Sequence, residues 1–191
     1  DKIEQIHTGA KRAADLVKQI LLFSRKTRYE KTIHELGLVV AEAMKLLRPT
    51  IPSTIKIVER IMSQKKVLAD PVKMHQIVMN LCTNAFHAME LQGGDLTISL
   101  KKKALTQHDL SAMPPYMQPG NFVELSFRDT GTGIAPEIRG KIFDPYFTTK
   151  DVGRGTGMGL AIVHGIVQSY GGYIACESSQ REGTVFDILL P

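Results

Sequence analysis

The chain carries the stretch Gly153-Arg-Gly-Thr-Gly-Met-Gly-Leu160, in which every second residue is glycine and which runs directly into a predicted helix ending near Tyr170. Such a stretch presents free backbone N–H groups at the positive end of a helix dipole, a place that suits a phosphate. The spacing is not that of a dinucleotide fingerprint, and no Gly-Lys-Ser/Thr of a Walker loop occurs. We interpret the stretch as a phosphate-binding loop, with a flexible glycine hinge as the alternative.

Two further motifs precede this loop. Asp129-Thr-Gly-Thr-Gly133 directly follows a predicted strand over 123–127, so its carboxylate can accept a hydrogen bond from an exocyclic amine such as that of adenine. The stretch Phe143-Asp-Pro-Tyr-Phe-Thr-Thr-Lys150 offers two phenylalanines as loop anchors and a lysine that can reach a phosphate. A plain strand-end turn and ordinary core phenylalanines are the alternatives.

A polar stripe lies on the helix predicted for 70–89. Asp70-Pro71 has the form of an N-cap followed by proline at the first helical position. Four polar side chains then recur at helical spacing and share one face: Gln76, Asn80, Asn84 and His87. Carboxamide oxygens can ligate Mg²⁺, which also retains waters and substrate phosphates. The alternative is an ordinary solvent-facing side of the helix.

Composition excludes several classes of protein. The 191 residues are 43% hydrophobic and 23% charged, as in ordinary globular domains. The net charge of +5 is dispersed, tryptophan is absent and aromatic residues make up 6%, so we expect no nucleic-acid partner. No apolar run reaches the ~18 residues that span a bilayer, so we expect no membrane contact from this chain. Cys82 and Cys176 are isolated, which favours a reduced, cytoplasmic location.

Periodicity divides the chain into three parts. Residues 1–26 form a predicted helix with apolar or small residues spaced three and four apart, 27–34 a linker, and 35–191 a domain. Within that domain, helices are predicted over 35–47, 70–89 and 157–170. Strands are predicted over 55–61, 96–100, 123–127, 173–178 and 184–190. This mixture predicts an α+β fold with helices covering one face of a sheet.

The order of these motifs, completed by Glu182-Gly-Thr184, resembles the N, G1, F, G2 and G3 boxes of sensor histidine kinases. The resemblance covers the whole chain, because Leu21-Leu-Phe-Ser-Arg25 is similar to the end of the second helix of their dimerization and phosphotransfer hairpin. The segment Asn84-Ala-Phe-His87 is similar to the nitrogen-regulation type. The resemblance implies a Bergerat-type α/β sandwich, a mixed sheet with helices on one face, preceded by one long helix.

The resemblance also implies a ligand set. Asn84 matches a Mg²⁺ ligand, Asp129 the adenine-binding carboxylate and Lys150 the lysine of the lid. The glycines of the lid and phosphate loop correspond to Gly131, Gly133, Gly155, Gly157 and Gly159. The remaining cofactor-binding positions correspond to Phe143, Phe147, Leu160 and Thr184. The implied cofactors are ATP and Mg²⁺.

Asn80, His87 and Lys150 match catalytic positions. Asn80 stands where hydrolytic relatives such as gyrase and MutL carry a water-activating glutamate, and an amide cannot act as that base. His87 stands at a phosphate-contacting position that is usually lysine or arginine in relatives. This pattern is typical of phosphoryl transfer to a protein rather than of ATP hydrolysis.

None of the histidines matches the phosphoacceptor of the family, which lies on the first helix of the hairpin. His7 lies on the predicted N-terminal helix, but no acidic residue follows it directly. We therefore expect this chain to begin in the second hairpin helix and to transfer the ATP γ-phosphoryl group to a histidine outside it. A response regulator receiver domain would then accept the group.

The complete protein is expected to be a homodimer, whether or not it is anchored in a membrane elsewhere. Two alternatives stay open at this point. One is an ATPase of the same fold, and the other is a nucleotide-responsive interaction module without catalysis.

Overall fold

A computed structural model describes residues 32–62, 66–150 and 155–191. The helix expected over 1–26 lies outside the described residues. The main unit comprises Lys31–Thr148 and Thr156–Pro191. A second unit contributes Thr149, Lys150 and Gly155 to the described residues, and the account that follows concerns the main unit.

Three α-helices begin and end close to the predicted positions. They are α1 (Leu36–Leu47), α2 (Pro71–Met89) and α3 (Gly159–Ser169). The Asp70 carboxylate accepts a hydrogen bond from the backbone N–H of Val72 at 2.8 Å, which confirms the predicted N-cap of α2. In the described part of the chain, no helix is long and apolar enough to cross a membrane.

Within the described residues, seven strands are distributed over two sheets. The strands are β1 (Thr32–Glu35), β2 (Ile55–Ile61), β3 (Lys66–Ala69), β4 (Gly94–Leu105), β5 (Gly120–Asp129), β6 (Tyr173–Ser179) and β7 (Gly183–Leu190). The larger sheet has the order β2-β4-β5-β7-β6, and β1 pairs with β3. Strands β2 and β4 are parallel while the other neighbours are antiparallel, so the predicted mixed α+β sheet is confirmed.

One face of the larger sheet carries the core. The period of two places Leu96, Ile98 and Leu100 of β4 on the same side, and all three are buried. Ile77 and Leu81 of α2 belong to the same buried cluster. The helices therefore cover this face, and the polar side of α2 is left at its margin.

The other face of the sheet is polar at its centre. Glu124 on β5 is buried there, and the Lys101 ammonium lies 2.8 Å from its carboxylate. Lys103 lies 3.7 Å from the second oxygen of the same group. The hydrogen bond to Glu124 raises the pKa of Lys101. This pairing compensates the charge of the buried carboxylate.

The fold differs from the sequence interpretation in its short elements. Thr32–Glu35 is a strand paired antiparallel with Lys66–Ala69, although 27–34 is predicted as a linker and no strand is predicted at 66–69. Pro136–Lys141 forms a 3-10 turn that is also not predicted. A four-residue strand is too short to show a clear alternation of apolar and polar side chains. Whether it forms depends on pairing with a segment far away in the chain.

Candidate functional site

Asp129 ends β5 in a buried position. The backbone N–H of Gly131 donates to its Oδ1 at 2.9 Å, and the backbone N–H of Thr184 also donates to the carboxylate. Burial raises the pKa of Asp129, and these two hydrogen bonds partly offset that effect. A carboxylate has about four acceptor positions, so capacity is left for the amino group of a ligand.

Thr184 lies opposite Asp129 on β7 and is also buried. Its hydroxyl is 3.0 Å from Ser178 Oγ, which itself donates to the Gly183 carbonyl at 2.9 Å and accepts from the Ile134 N–H at 2.8 Å. Either hydroxyl of this Ser178–Thr184 pair could be the donor. Thr184 therefore offers a hydroxyl beside the Asp129 carboxylate that can either donate or accept.

The turn after β5 is pressed against helix α2. A Cβ on Gly131 would lie 2.6 Å from the Ala88 Cβ, which leaves no room for a side chain. The N–H of Thr132 donates to the Ala88 carbonyl at 3.1 Å, and the Thr132 carbonyl accepts from the Arg181 N–H at 2.8 Å. Glycine at 131 thus allows the strand that carries Asp129 to dock on the helix that carries the polar stripe.

The polar stripe of α2 lies as predicted. Its four members are half-buried, whereas the opposite face of the helix is buried; the members are Gln76, Asn80, Asn84 and His87. The Asn80 carboxamide lies against Gly159, since a Cβ there would be 3.2 Å from Asn80 Oδ1. His87 Nδ1 lies 3.8 Å from a carboxylate oxygen of Glu90, an i,i+3 pair on the helix surface.

The glycine loop is held at its C-terminal side. Gly157 has φ +65°, and a Cβ there would lie 2.6 Å from the Tyr146 carbonyl oxygen. Tyr146 is itself in the left-handed region with φ 67°. Gly157 is therefore pressed on the backbone of Tyr146, a contact that only glycine permits.

Phe143, Phe147 and Leu160 are half-buried and pack against the main core. The ring of Phe143 stacks on His164 of α3 with centroids 5.1 Å apart and lies edge-on to Phe186 at 6.5 Å. Both phenylalanines therefore contact the core, as the alternative of ordinary core phenylalanines predicts. A role for these three residues in binding a cofactor stays a prediction.

Two predicted site residues, Lys150 and Gly155, belong to the second unit, and both are half-buried. Their roles as the lid lysine and a phosphate-loop glycine stay predictions. Gly133 belongs to the main unit, where it has φ +70° in the turn that follows Asp129.

Sequence analysis missed two supporting residues. Ser178 forms a hydrogen bond with Thr184, and the turn that contains Gly131 packs against Ala88. Ser178 interrupts the apolar alternation of 173–178, and that interruption is a usable signal of a polar group on the inner side of a sheet. Ala88 has no such signal, because its role depends on which turn packs against it.

The site offers an acceptor at one end and neutral amides with glycine backbone at the other. In residues 32–62, 66–150 and 155–191, no group of three or more His, Cys, Asp or Glu side chains could hold a metal ion. A carboxylate acceptor at one end and glycine backbone before a helix at the other are suited to a nucleotide.

Comparison with known proteins gives consistent results. The sequence profile described as "Histidine kinase-, DNA gyrase B-, and HSP90-like ATPase" matches residues 69–191. Sensor kinase CckA of Brucella abortus is 37% identical over 191 residues, covering 99% of this chain and 20% of that protein. Sensory histidine kinase/phosphatase NtrB of Azospirillum brasilense is 31% identical over 188 residues, covering 95% of this chain and 44% of that protein.

A solved structure extends the comparison to three dimensions. Histidine kinase ThkA in complex with response regulator protein TrrA is similar with a TM-score of 0.71 and 26% identity, covering 99% of this chain and 50% of that chain. The chain spans only 20% to 44% of the length of the two curated relatives above. The similarity therefore concerns one part of those longer proteins.

Proposed function

This chain belongs to the histidine kinase-, DNA gyrase B-, and HSP90-like ATPase family, and from that premise we propose that it transfers the γ-phosphoryl group of ATP to a histidine side chain. It would be the ATP-binding catalytic part of a sensor histidine kinase. The acceptor histidine would lie on a dimerization hairpin outside this chain. Asp129 would accept from the amino group of adenine with Thr184 beside it, and the first turn of α3 would receive the phosphates.

The proposal rests on one observation, which is that a carboxamide, that of Asn80, lies at the start of α3. Its carboxamide lies against Gly159 at the start of α3, beside the backbone N–H groups expected to meet the phosphates. A carboxamide cannot take a proton from water at neutral pH, so hydrolysis has no base at this position. Transfer to an imidazole nitrogen needs positioning and charge stabilisation rather than such a base.

Mg²⁺ is the companion cation that we propose. Asn84 would supply one hard oxygen ligand, and the phosphates and waters would supply the others. Bound there, the ion would neutralise charge on the phosphates. His87, when protonated, would add positive charge near the same group. Lys150 is proposed as the lysine of the lid.

Two partners complete the proposal. Because the solved structure of ThkA is a complex with a response regulator protein, a receiver domain is the proposed final acceptor for this kinase as well. The complete protein is proposed to be a homodimer, in which the hairpin helices of two copies pack together.

The test uses the chain, γ-labelled ATP with Mg²⁺, and the dimerization hairpin of the complete protein supplied as a separate polypeptide. We expect acid-labile, alkali-stable phosphate on the hairpin and none on a hairpin whose histidine is replaced by alanine. Sustained release of inorganic phosphate without labelled hairpin would instead support an ATPase. Nucleotide binding with neither reaction would support an interaction module.

A further inference from the structure

Three aromatic rings form a column that none of the proposed chemical steps uses. His164 lies on α3, Phe143 precedes the glycine loop, and Phe186 lies on β7. The His164 and Phe143 rings are stacked with centroids 5.1 Å apart and an interplanar angle of 27°. The Phe143 and Phe186 rings meet edge-on at 6.5 Å and 74°. We call these three residues the aromatic column.

The column joins the two elements that would hold opposite ends of a nucleotide. Helix α3 begins at Gly159, so its first turn carries the free N–H groups, and His164 lies about one turn further along. Phe186 lies two residues after Thr184 on β7, the strand that is paired with Asp129. Phe143 fills the space between them and has no backbone ladder of its own in the described part of the chain.

We propose that His164 is a positioning residue that holds the first turn of α3 at a fixed distance from the adenine end of the site. The contact is indirect, since His164 acts through Phe143 on Phe186 and not on the ligand. A ligand that contacts both ends binds more tightly when their separation is already fixed, because the protein then loses less conformational entropy on binding. A ligand that engages one end gains nothing from it.

This inference rests on the proposed function only in taking ATP as the ligand. The interaction between paired aromatic rings corresponds to about a three- to tenfold change in an equilibrium constant. Loss of the His164 ring should therefore weaken ATP binding by about that factor. Adenosine, which lacks the phosphates, should bind within about twofold of its wild-type affinity.

Calorimetric titration of ATP with Mg²⁺ and of adenosine into four variants tests the proposal. His164→Ala removes the ring, whereas His164→Phe keeps a planar ring of similar size and should restore ATP affinity to within about twofold. His164→Gln serves as a second ring-free variant if the alanine variant does not fold. His108→Ala, at an exposed histidine on a distant turn, is the matched control and should change neither affinity.

The outcomes separate this inference from the proposed function. Equal losses of ATP and adenosine affinity in the ring-free variants would overturn it, because a general structural defect acts on both ligands. Unchanged ATP affinity in those variants, or failure of the phenylalanine variant to restore it, would overturn it too. Intact ATP binding without transfer to the hairpin would refute the proposed function alone.

Discussion

Asparagine in place of Asp129 tests the adenine end of the site most directly. The carboxylate has two oxygens, which already accept from the backbone N–H groups of Gly131 and Thr184. An asparagine side chain has one oxygen. That oxygen stays the acceptor for the Gly131 N–H, which lies 2.9 Å from the carboxylate in the wild type. The new NH₂ group then faces the ligand, where it meets the amino group of adenine as a second donor.

The magnitude follows from the burial of Asp129, of which 6% is exposed. A donor left unpaired at such a site costs about 1–3 kcal/mol, and the charge-assisted hydrogen bond from adenine is lost as well. This corresponds to ATP affinity about five- to 150-fold weaker. The fall should be the same for ATP and adenosine, since both carry the same base.

The same substitution should also change how the stability of the ligand-free protein depends on pH. Burial raises the pKa of Asp129, so the folded state binds more protons than the unfolded state in the interval between the two pKa values. The free energy of unfolding of the wild type therefore falls as the pH rises through that interval. Asparagine does not titrate, so the stability of Asp129→Asn relative to the wild type should increase over the same interval.

Calorimetric titration measures the affinity, and urea denaturation at a series of pH values measures the stability. Asp95→Asn, at an exposed aspartate at the start of β4, is the matched control and should leave both quantities unchanged. A folded Asp129→Asn protein with wild-type affinity for ATP would refute the assignment of Asp129 to the base. The charge argument would be refuted if the free energy of unfolding of Asp129→Asn, relative to that of the wild type, fell from acid to neutral pH.

Two further predictions concern the other end of the site and the turn between them. Asn84→Ala should abolish most of the increase in ATP affinity that Mg²⁺ gives, as measured by titration with and without Mg²⁺, while Thr83→Ala, on the exposed side of α2, should retain it. Gly131→Ala would place a methyl group 2.6 Å from α2 and should lower the free energy of unfolding by about 1–3 kcal/mol. In the same denaturation experiment Gly140→Ala, with nothing within 4 Å, should lower it far less, and similar losses would contradict the packing argument.

Local signals in the sequence determined the main elements of this protein. Helix α2 begins at Pro71 because Asp70 supplies the cap and proline fits the first turn, and both residues are adjacent in the chain. The polar stripe follows from spacing alone, because residues three and four apart must share a face. The same holds for the apolar alternation of β5, which placed Asp129 at a strand end.

Contacts between distant segments were decided only by the tertiary structure. The pairing of β1 with β3, the approach of Asn80 to Gly159 and the aromatic column all join residues that are far apart in the chain. The order of the motifs favoured a nucleotide site, yet the hydrogen bond of Thr184 is made with Ser178 of the neighbouring strand. Backbone periodicity is a local property of a chain, whereas such contacts depend on the register and packing of whole elements, which no short stretch encodes.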